Sequence, residues 1–198
     1  MRNVDIPPSL SRKAPVPVGG LGAVGAIGGG LIWVCLGSIL ALRPARVPGQ
    51  SFRASTDVLP WLGLGLLLIA LGAVALHHRQ QQRTRPGLWA ARGVIFGALL
   101  YASGHTLRQF LSGAWEPAVP VGFLSTTISL IVLGVSTLRV RALPRWTGGV
   151  LIASGICLLA FNDQYRSAWA AVPFGLLWIL LGAFLARSGR DTSPAISA

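Results

Sequence analysis

Tyr101, His105, Arg108 and Ser112 recur at spacings of four, three and four residues. That period places them on one face of a helix. Gln109 flanks the face, and three acids, Asp57, Glu116 and Asp163, fall where a carboxylate could reach Arg108. Arginine, histidine, tyrosine and carboxylate gathered in this way can bind an anion or a lipid headgroup, or relay protons. The same residues also have a plainer reading. The helix leaves an apolar environment here, and Arg108 extends its charge toward water. Both readings stand on the sequence. The candidate polar site is therefore Tyr101, His105, Arg108, Gln109, Glu116 and Asp163.

Other chemistry finds little support. The chain has no phosphate-binding glycine loop, no GxSxG, no HExxH and no dinucleotide fingerprint. Apart from Asp163 at the edge of the fifth, its apolar spans hold no Asp or Glu, so the paired aspartates of an intramembrane aspartyl protease are missing. A bis-histidine haem would need a second histidine at the depth of His105, and His77 and His78 are expected on the opposite side. Cys35 and Cys157 each sit inside an apolar span, where a thiol behaves as a small hydrophobe. No catalytic residue, no cofactor and no metal are expected, and the chain reads as a non-enzyme. Ser125, Thr126, Thr127 and Ser129 could line a pathway, or could bond their own backbone or a neighbouring helix.

The elements that would position these residues are apolar spans. Residues 58–76, VLPWLGLGLLLIALGAVAL, carry no charge and are about as long as a helix crossing a ~30 Å hydrocarbon core. Further spans are expected at about 19–42, 88–112, 119–138, 146–164 and 168–186. Over the whole chain 53% of residues are hydrophobic and 11% are charged, against roughly a quarter charged in soluble domains. The expected fold is all-α: a polytopic bundle of six membrane helices over residues 19–187, with polar tails at 1–18 and 188–198. The run at 19–42 is too long for the apolar core of a cleaved signal peptide, so it is expected to stay as the first span. The fifth is short for a span.

The formal charge of +12 suits nucleic acid, but the basic residues lie between apolar spans and not along one face. Charge that sets topology explains them, and nucleic acid is not an expected partner. With the N-terminus inside, only Arg43, Arg46, Arg53, Arg108 and Arg166 fall outside, together with Asp57, Glu116 and Asp163. Trp61, Trp89, Trp115, Trp146 and Trp169 fall at span ends, where an indole prefers the interface.

Two glycine pairs, Gly25 with Gly29 and Gly93 with Gly97, have the GxxxG spacing that lets helices approach closely in lipid. The segments 65–73 (GLLLIALGA) and 175–183 (GLLWILLGA) are alike, and 133–135 echoes their Leu-Gly ending. Three similar helical hairpins would explain this, and so would chance recurrence of Leu, Gly and Ala.

Residues 141–149, RALPRWTGG, resemble a turn found in small six-helix bacterial integral membrane proteins of unknown function. The resemblance rests on Leu-Pro-Arg-Trp before a Gly-rich helix. It implies a bacterial inner membrane and no particular activity, ligand or partner. Two function classes follow from the residues. One is a non-enzymatic membrane protein that packs against itself or a membrane partner, as the glycines suggest. The other is a small transporter or channel with an outward-facing polar site near His105 and Arg108. The lipid bilayer is the expected surrounding, and both termini are expected in the cytoplasm.

Overall fold

The computed structural model describes residues 18–43, 57–80, 84–107, 117–164 and 166–190. They form six α-helices: α1 (Val18–Leu42), α2 (Leu59–Arg79), α3 (Arg85–Leu107), α4 (Ala118–Val140), α5 (Arg145–Ala160) and α6 (Ala171–Arg190). A 3-10 turn over Arg166–Ala170 leads into α6, and no strand occurs among the described residues. Four segments are long and apolar enough to cross a membrane: Gly19–Leu42, Leu59–Arg79, Ala118–Val140 and Ser167–Ser188. α3 is long enough, at 23 residues, but carries Arg85, Arg92, Tyr101, Ser103, His105 and Thr106. α5 has 16 residues, a length of about 24 Å at ~1.5 Å per residue.

Several helix ends differ from the sequence expectation. α2 does not stop at Leu76 but runs through His77, His78 and Arg79. α6 runs on to Arg190, and α5 stops at Ala160. The loop that resembles a known turn is closed by Arg141, which takes the left-handed conformation (φ 56°) as the cap of α4 and donates its N–H to the Thr137 carbonyl at 3.2 Å. Pro144 precedes α5, and the Thr147 hydroxyl donates to its carbonyl at 2.7 Å.

Each helix packs antiparallel to the one before it, and α6 returns against α1. α1 lies between α2 and α6, which also touch each other. Glycine makes these crossings possible. A Cβ built on Gly29 would lie 2.5 Å from the Gly65 carbonyl oxygen of α2 and 3.0 Å from the Ile69 nitrogen. Its neighbour Gly30 faces α6 in the same way, with Gly175 O at 2.6 Å and Ile179 N at 3.0 Å. Gly134 of α4 repeats the arrangement on Gly148 and Ile152 of α5. A Cβ on Gly97 would lie 2.6 Å from both Gly122 O and Thr126 N of α4. Backbones this close gain van der Waals contact along the whole crossing, which is how helices associate where lipid is as apolar as the side chains.

The inside and the outside of the bundle are both apolar. Leu62, Leu66, Ile69, Leu130, Leu133, Leu151, Trp33 and Trp178 are fully buried. Large apolar residues are exposed on every helix, among them Leu21, Leu71, Phe96, Ile128, Ile156 and Leu180. Soluble proteins do not expose apolar surface on all sides, so these faces suit lipid. The exposed tryptophans form two girdles. Trp61 and Trp169 sit at the end where α2 and α6 begin, and Trp89 and Trp146 at the end where α3 and α5 begin. Trp115 lies outside the described residues.

Asp57 pairs with Arg43, whose two guanidinium nitrogens donate to its two carboxylate oxygens at 2.9 Å. The pair joins the end of α1 to the start of α2. The guanidinium holds the Asp57 carboxyl below the usual carboxylate range. The pair is solvent-exposed, so it stabilises by only ~0–1 kcal/mol. That contribution is present above the ordinary Asp pKa of ~3.9 and fades as pH falls through the lowered value.

Candidate functional site

Three parts of the chain converge at the end of the bundle where α2 and α4 begin. The last turns of α3 bring Tyr101 and His105, one helical turn apart. The first turns of α4 bring Val119, Pro120 and Phe123. The connection after α5 brings Phe161, Asn162 and Asp163. Together with Leu59 of α2 they line a cavity of about 280 Å³. Gly104 lets α4 close on α3 here, since a Cβ at that position would meet Val119 Cγ2 at 2.7 Å.

The polar residues are fixed by local geometry. The Tyr101 and His105 rings meet edge to face with centroids 4.6 Å apart. Asn162 Oδ1 accepts the Gln164 backbone N–H at 2.9 Å, an Asx turn that sets the direction of Asp163 between them. Gln164 Nε2 donates to Asp163 Oδ2 at 2.5 Å. Behind the polar groups stands an aromatic chain. Tyr101 and Phe123 are 5.9 Å apart, Phe123 and Phe161 6.3 Å, Phe161 and Trp33 5.2 Å, and Trp33 and Phe174 4.7 Å. The pocket wall is thus continuous with the packed core.

Of the residues singled out by spacing, the structure brings Tyr101, His105 and Asp163 to one cavity. Arg108, Gln109, Ser112 and Glu116 lie outside the described residues. Phe123, Phe161 and Asn162 were not anticipated. Phe123 stands four residues after Val119, which the sequence marks as a helix opening, so a helical-face reading of α4 would have pointed to it.

The opposite end holds a second polar group, just past the expected end of the span at 58–76. His77 and Gln80 are 3% and 1% exposed. Gln80 Nε2 donates to the Thr137 hydroxyl at 2.6 Å, and that hydroxyl donates to the Leu133 carbonyl at 2.8 Å. Gln80 Oε1 is buried and meets no hydrogen-bond donor among the described residues. Arg79 reaches across to the Leu185 carbonyl of α6 at 2.9 Å, a cation near a helix C-terminus where the dipole favours it. These residues are covered because α2 continues past Leu76 and α3 and α4 close over its last turn.

Ser125, Thr126 and Thr127 of α4 are engaged with backbone. Thr126 and Thr127 donate to Gly122 and Phe123 carbonyls at 2.9 Å, and Ser125 donates across to Gly93 of α3 at 3.3 Å. Between the two polar ends stand the fully buried Leu66, Ile69, Leu130, Leu133 and Trp178. Gly25, Gly29, Gly93 and Gly97 all face helices of the same chain. Cys35 and Cys157 are free thiols. Among the described residues no three His, Cys, Asp or Glu gather as metal ligands. No protein-family model, curated protein or solved structure matches this chain.

Proposed function

We propose that the protein is a six-span, non-enzymatic membrane protein that binds a small solute in the pocket of Tyr101, His105 and Asp163. The observation that carries the reading is the convergence of these three polar side chains, from two separate parts of the chain, on one aromatic-walled cavity. Concave sites with apolar walls and a few polar groups are the usual form of ligand pockets. The first reading, a protein that packs against itself or a membrane partner, rested on the glycine stripes, and those glycines face helices of the same chain. A channel is disfavoured by the fully buried apolar side chains beneath the pocket. A transporter would have to move them aside.

Six spans are supported by faces more than by averages. α3 turns Leu88, Trp89, Ile95, Phe96 and Leu99 outward, with Arg85, Arg92 and Thr106 exposed toward its two ends, and buries Gly97, Ala98, Tyr101, Gly104 and His105. Its low mean apolarity therefore comes from buried small and polar residues and from exposed polar residues toward its ends. α5 is short but sits between α4 and α6, both long enough to cross, with Trp146 at one end. The arginine counts support a reading with both termini on the cytoplasmic side of a bacterial inner membrane and the pocket on the outer side. In a chain with Cys35 and Cys157 replaced by Ser, Gly49→Cys is expected to react with a membrane-impermeant maleimide in intact cells, and Arg83→Cys only after lysis. The opposite pattern would reverse the orientation.

Binding itself is tested by thermal unfolding in detergent with panels of small organic cations, carboxylates, phosphates and uncharged polyols. At least one class is expected to raise Tm, since a ligand at 100 times its Kd stabilises by ~2.7 kcal/mol. Val119→Trp, which fills the cavity, is expected to abolish the shift. If no class stabilises the protein, or if Val119→Trp responds like the parent, the pocket is not a binding site.

A further inference from the structure

We propose that the turn between α4 and α5 docks an anionic phospholipid, with the phosphate on Arg139, Arg141 and Arg145 and an acyl chain along α5 beside Trp146. The site lies at the end of the bundle opposite the solute pocket and is independent of it. It rests only on the reading that the helices cross a membrane. All three arginines are exposed. Among the described residues none of their guanidinium groups makes a hydrogen bond or an ion pair. The acids among the described residues are Asp57 and Asp163, and both stand at the other end. Counter-charge for this turn must therefore come from another molecule or from outside the described residues, and a guanidinium fork matches the oxygens of a phosphate.

Helix electrostatics explains two of the three. Arg139 and Arg141 stand at the C-terminal end of α4, where the dipole favours a cation. Arg145 is the first residue of α5, at the end that favours an anion. Topology needs positive charge on this side, but Arg79, Arg85, Arg92 and Arg187 supply it without Arg145. An anion held in front of Arg145 turns its repulsion by the helix end into a shared attraction.

The apolar surface beside the charges points to a lipid and not to a soluble anion. Ile128, Val132, Val135 and Arg139 recur at spacings of four, three and four, so Arg139 ends the outward face of α4. On α5 the outward face runs through Trp146, Gly149, Ala153 and Ile156. Trp146 is held by its edge-to-face contact with Phe184 of α6, centroids 5.2 Å apart. A Cβ added at Gly149 would meet nothing within 4 Å, so the surface next to the indole is bare and an acyl chain can lie on it. α5 has 16 residues and is about 24 Å long against a hydrocarbon core of ~30 Å. The turn before it is thereby held near the depth of lipid headgroups.

The test uses the full chain purified in detergent and an equimolar mixture of dioleoyl phosphatidylglycerol and dioleoyl phosphatidylcholine. Native mass spectrometry reads the ratio of the two lipid adducts. Phosphatidylglycerol is expected to be preferred by about tenfold. Arg139→Gln/Arg145→Gln is expected to bring the preference to within about twofold of unity, because each basic residue near an anionic surface contributes about fivefold. Arg85→Gln/Arg92→Gln removes the same charge from the same end of the bundle and is expected to keep the preference. Glycerol 3-phosphate, which has the phosphate without the chains, is expected not to compete. A ratio near one in the unaltered protein overturns the proposal, and so does an equal loss in the two double variants. If glycerol 3-phosphate abolishes the preference, the turn takes a soluble phosphate and the lipid assignment falls. The unaltered protein decides the matter even where a variant does not fold.

Discussion

Gly29→Leu and Gly97→Leu are expected to lower the thermal stability of the protein in detergent severely, while Gly149→Leu changes it little. The difference comes from what the new side chain would strike. At Gly29 the first carbon already meets Gly65 O at 2.5 Å, and at Gly97 it meets Gly122 O and Thr126 N at 2.6 Å. These are backbone atoms of a facing helix, so relief requires the helices to separate along their whole crossing. A loss on the order of 2–3 kcal/mol is expected at each, the upper range for overpacking. Gly149 has nothing within 4 Å of its added carbon, and there Leu replaces a poor helix former. Gly93→Ala should fall between them, because the atom it strikes is the Ser129 hydroxyl, which can rotate away. Equal melting temperatures for Gly29→Leu and Gly149→Leu would mean that α1 does not dock on α2 as described.

The same crossings explain what could and could not be read from the sequence. Apolar runs of membrane length were plain, and α1, α2, α4 and α6 are the four segments that meet that description. The glycine spacing identified Gly29 and Gly97 as close-approach positions, but spacing on one helix does not say which helix approaches. The likeness of 65–73 to 175–183 suggested hairpins, and the contacts give it a more local meaning. Gly65 with Ile69 and Gly175 with Ile179 receive the adjacent Gly29 and Gly30, so α2 and α6 present the same surface to the two sides of α1. At the remaining segment of the expected repeat, 133–135, the roles are exchanged: the Gly-xxx-Ile surface belongs to α5, through Gly148 and Ile152, and Gly134 of α4 is the residue received. The contacts therefore liken α2 to α6 and not one hairpin to the next.

Burial of polar residues was the least legible property. His77 and Gln80 follow an apolar run and precede an arginine-rich stretch, which is also how an interfacial helix end is written. Only tertiary closure, with Gln80 on Thr137 of α4 and His77 beside Gly87 of α3, removes them from water. At the other end the face of Tyr101 and His105 was legible because polar residues at helical spacing stand out in an apolar chain. Phe123 and Phe161 were not, since nothing in composition separates an aromatic that lines a pocket from one that meets lipid. Asp57 was one of three outer acids that could reach Arg108, a residue outside the described ones; the contact described is with Arg43, at the other end of the same connection.

Trp33→Ala is expected to give the largest loss from any single truncation and to weaken the pocket without touching it. Trp33 is fully buried in the middle of α1, edge to face with Phe174 at 4.7 Å and Phe161 at 5.2 Å. Its ring also fills the space above Gly65, whose missing Cβ would lie 2.8 Å from Trp33 Cδ1. In soluble cores, Phe or Trp to Ala costs ~3–5 kcal/mol. In lipid the transfer part shrinks, because the separated helices expose the ring to hydrocarbon and not to water. The cavity and the lost dispersion contacts remain, and a loss of ~2–4 kcal/mol is expected. No hydrogen bond is lost with it, since Trp33 Nε1 meets no acceptor among the described residues. For that reason Trp33→Phe, which keeps a ring against Phe161 and removes a buried unmet donor, should cost much less than Trp33→Ala. Trp61→Ala serves as the control, because Trp61 faces outward and 59% of it is exposed. Phe161 is both the neighbour of Trp33 and a wall of the cavity beside Asp163. Loss of Trp33 therefore frees Phe161 to turn away, and solute affinity should fall in Trp33→Ala while Trp61→Ala keeps it. Thermal unfolding and solute titration on the three variants read the two effects separately. If Trp33→Ala melts with Trp61→Ala, α1 does not carry the aromatic chain into the core; if it melts early but binds normally, the pocket stands independently of that chain.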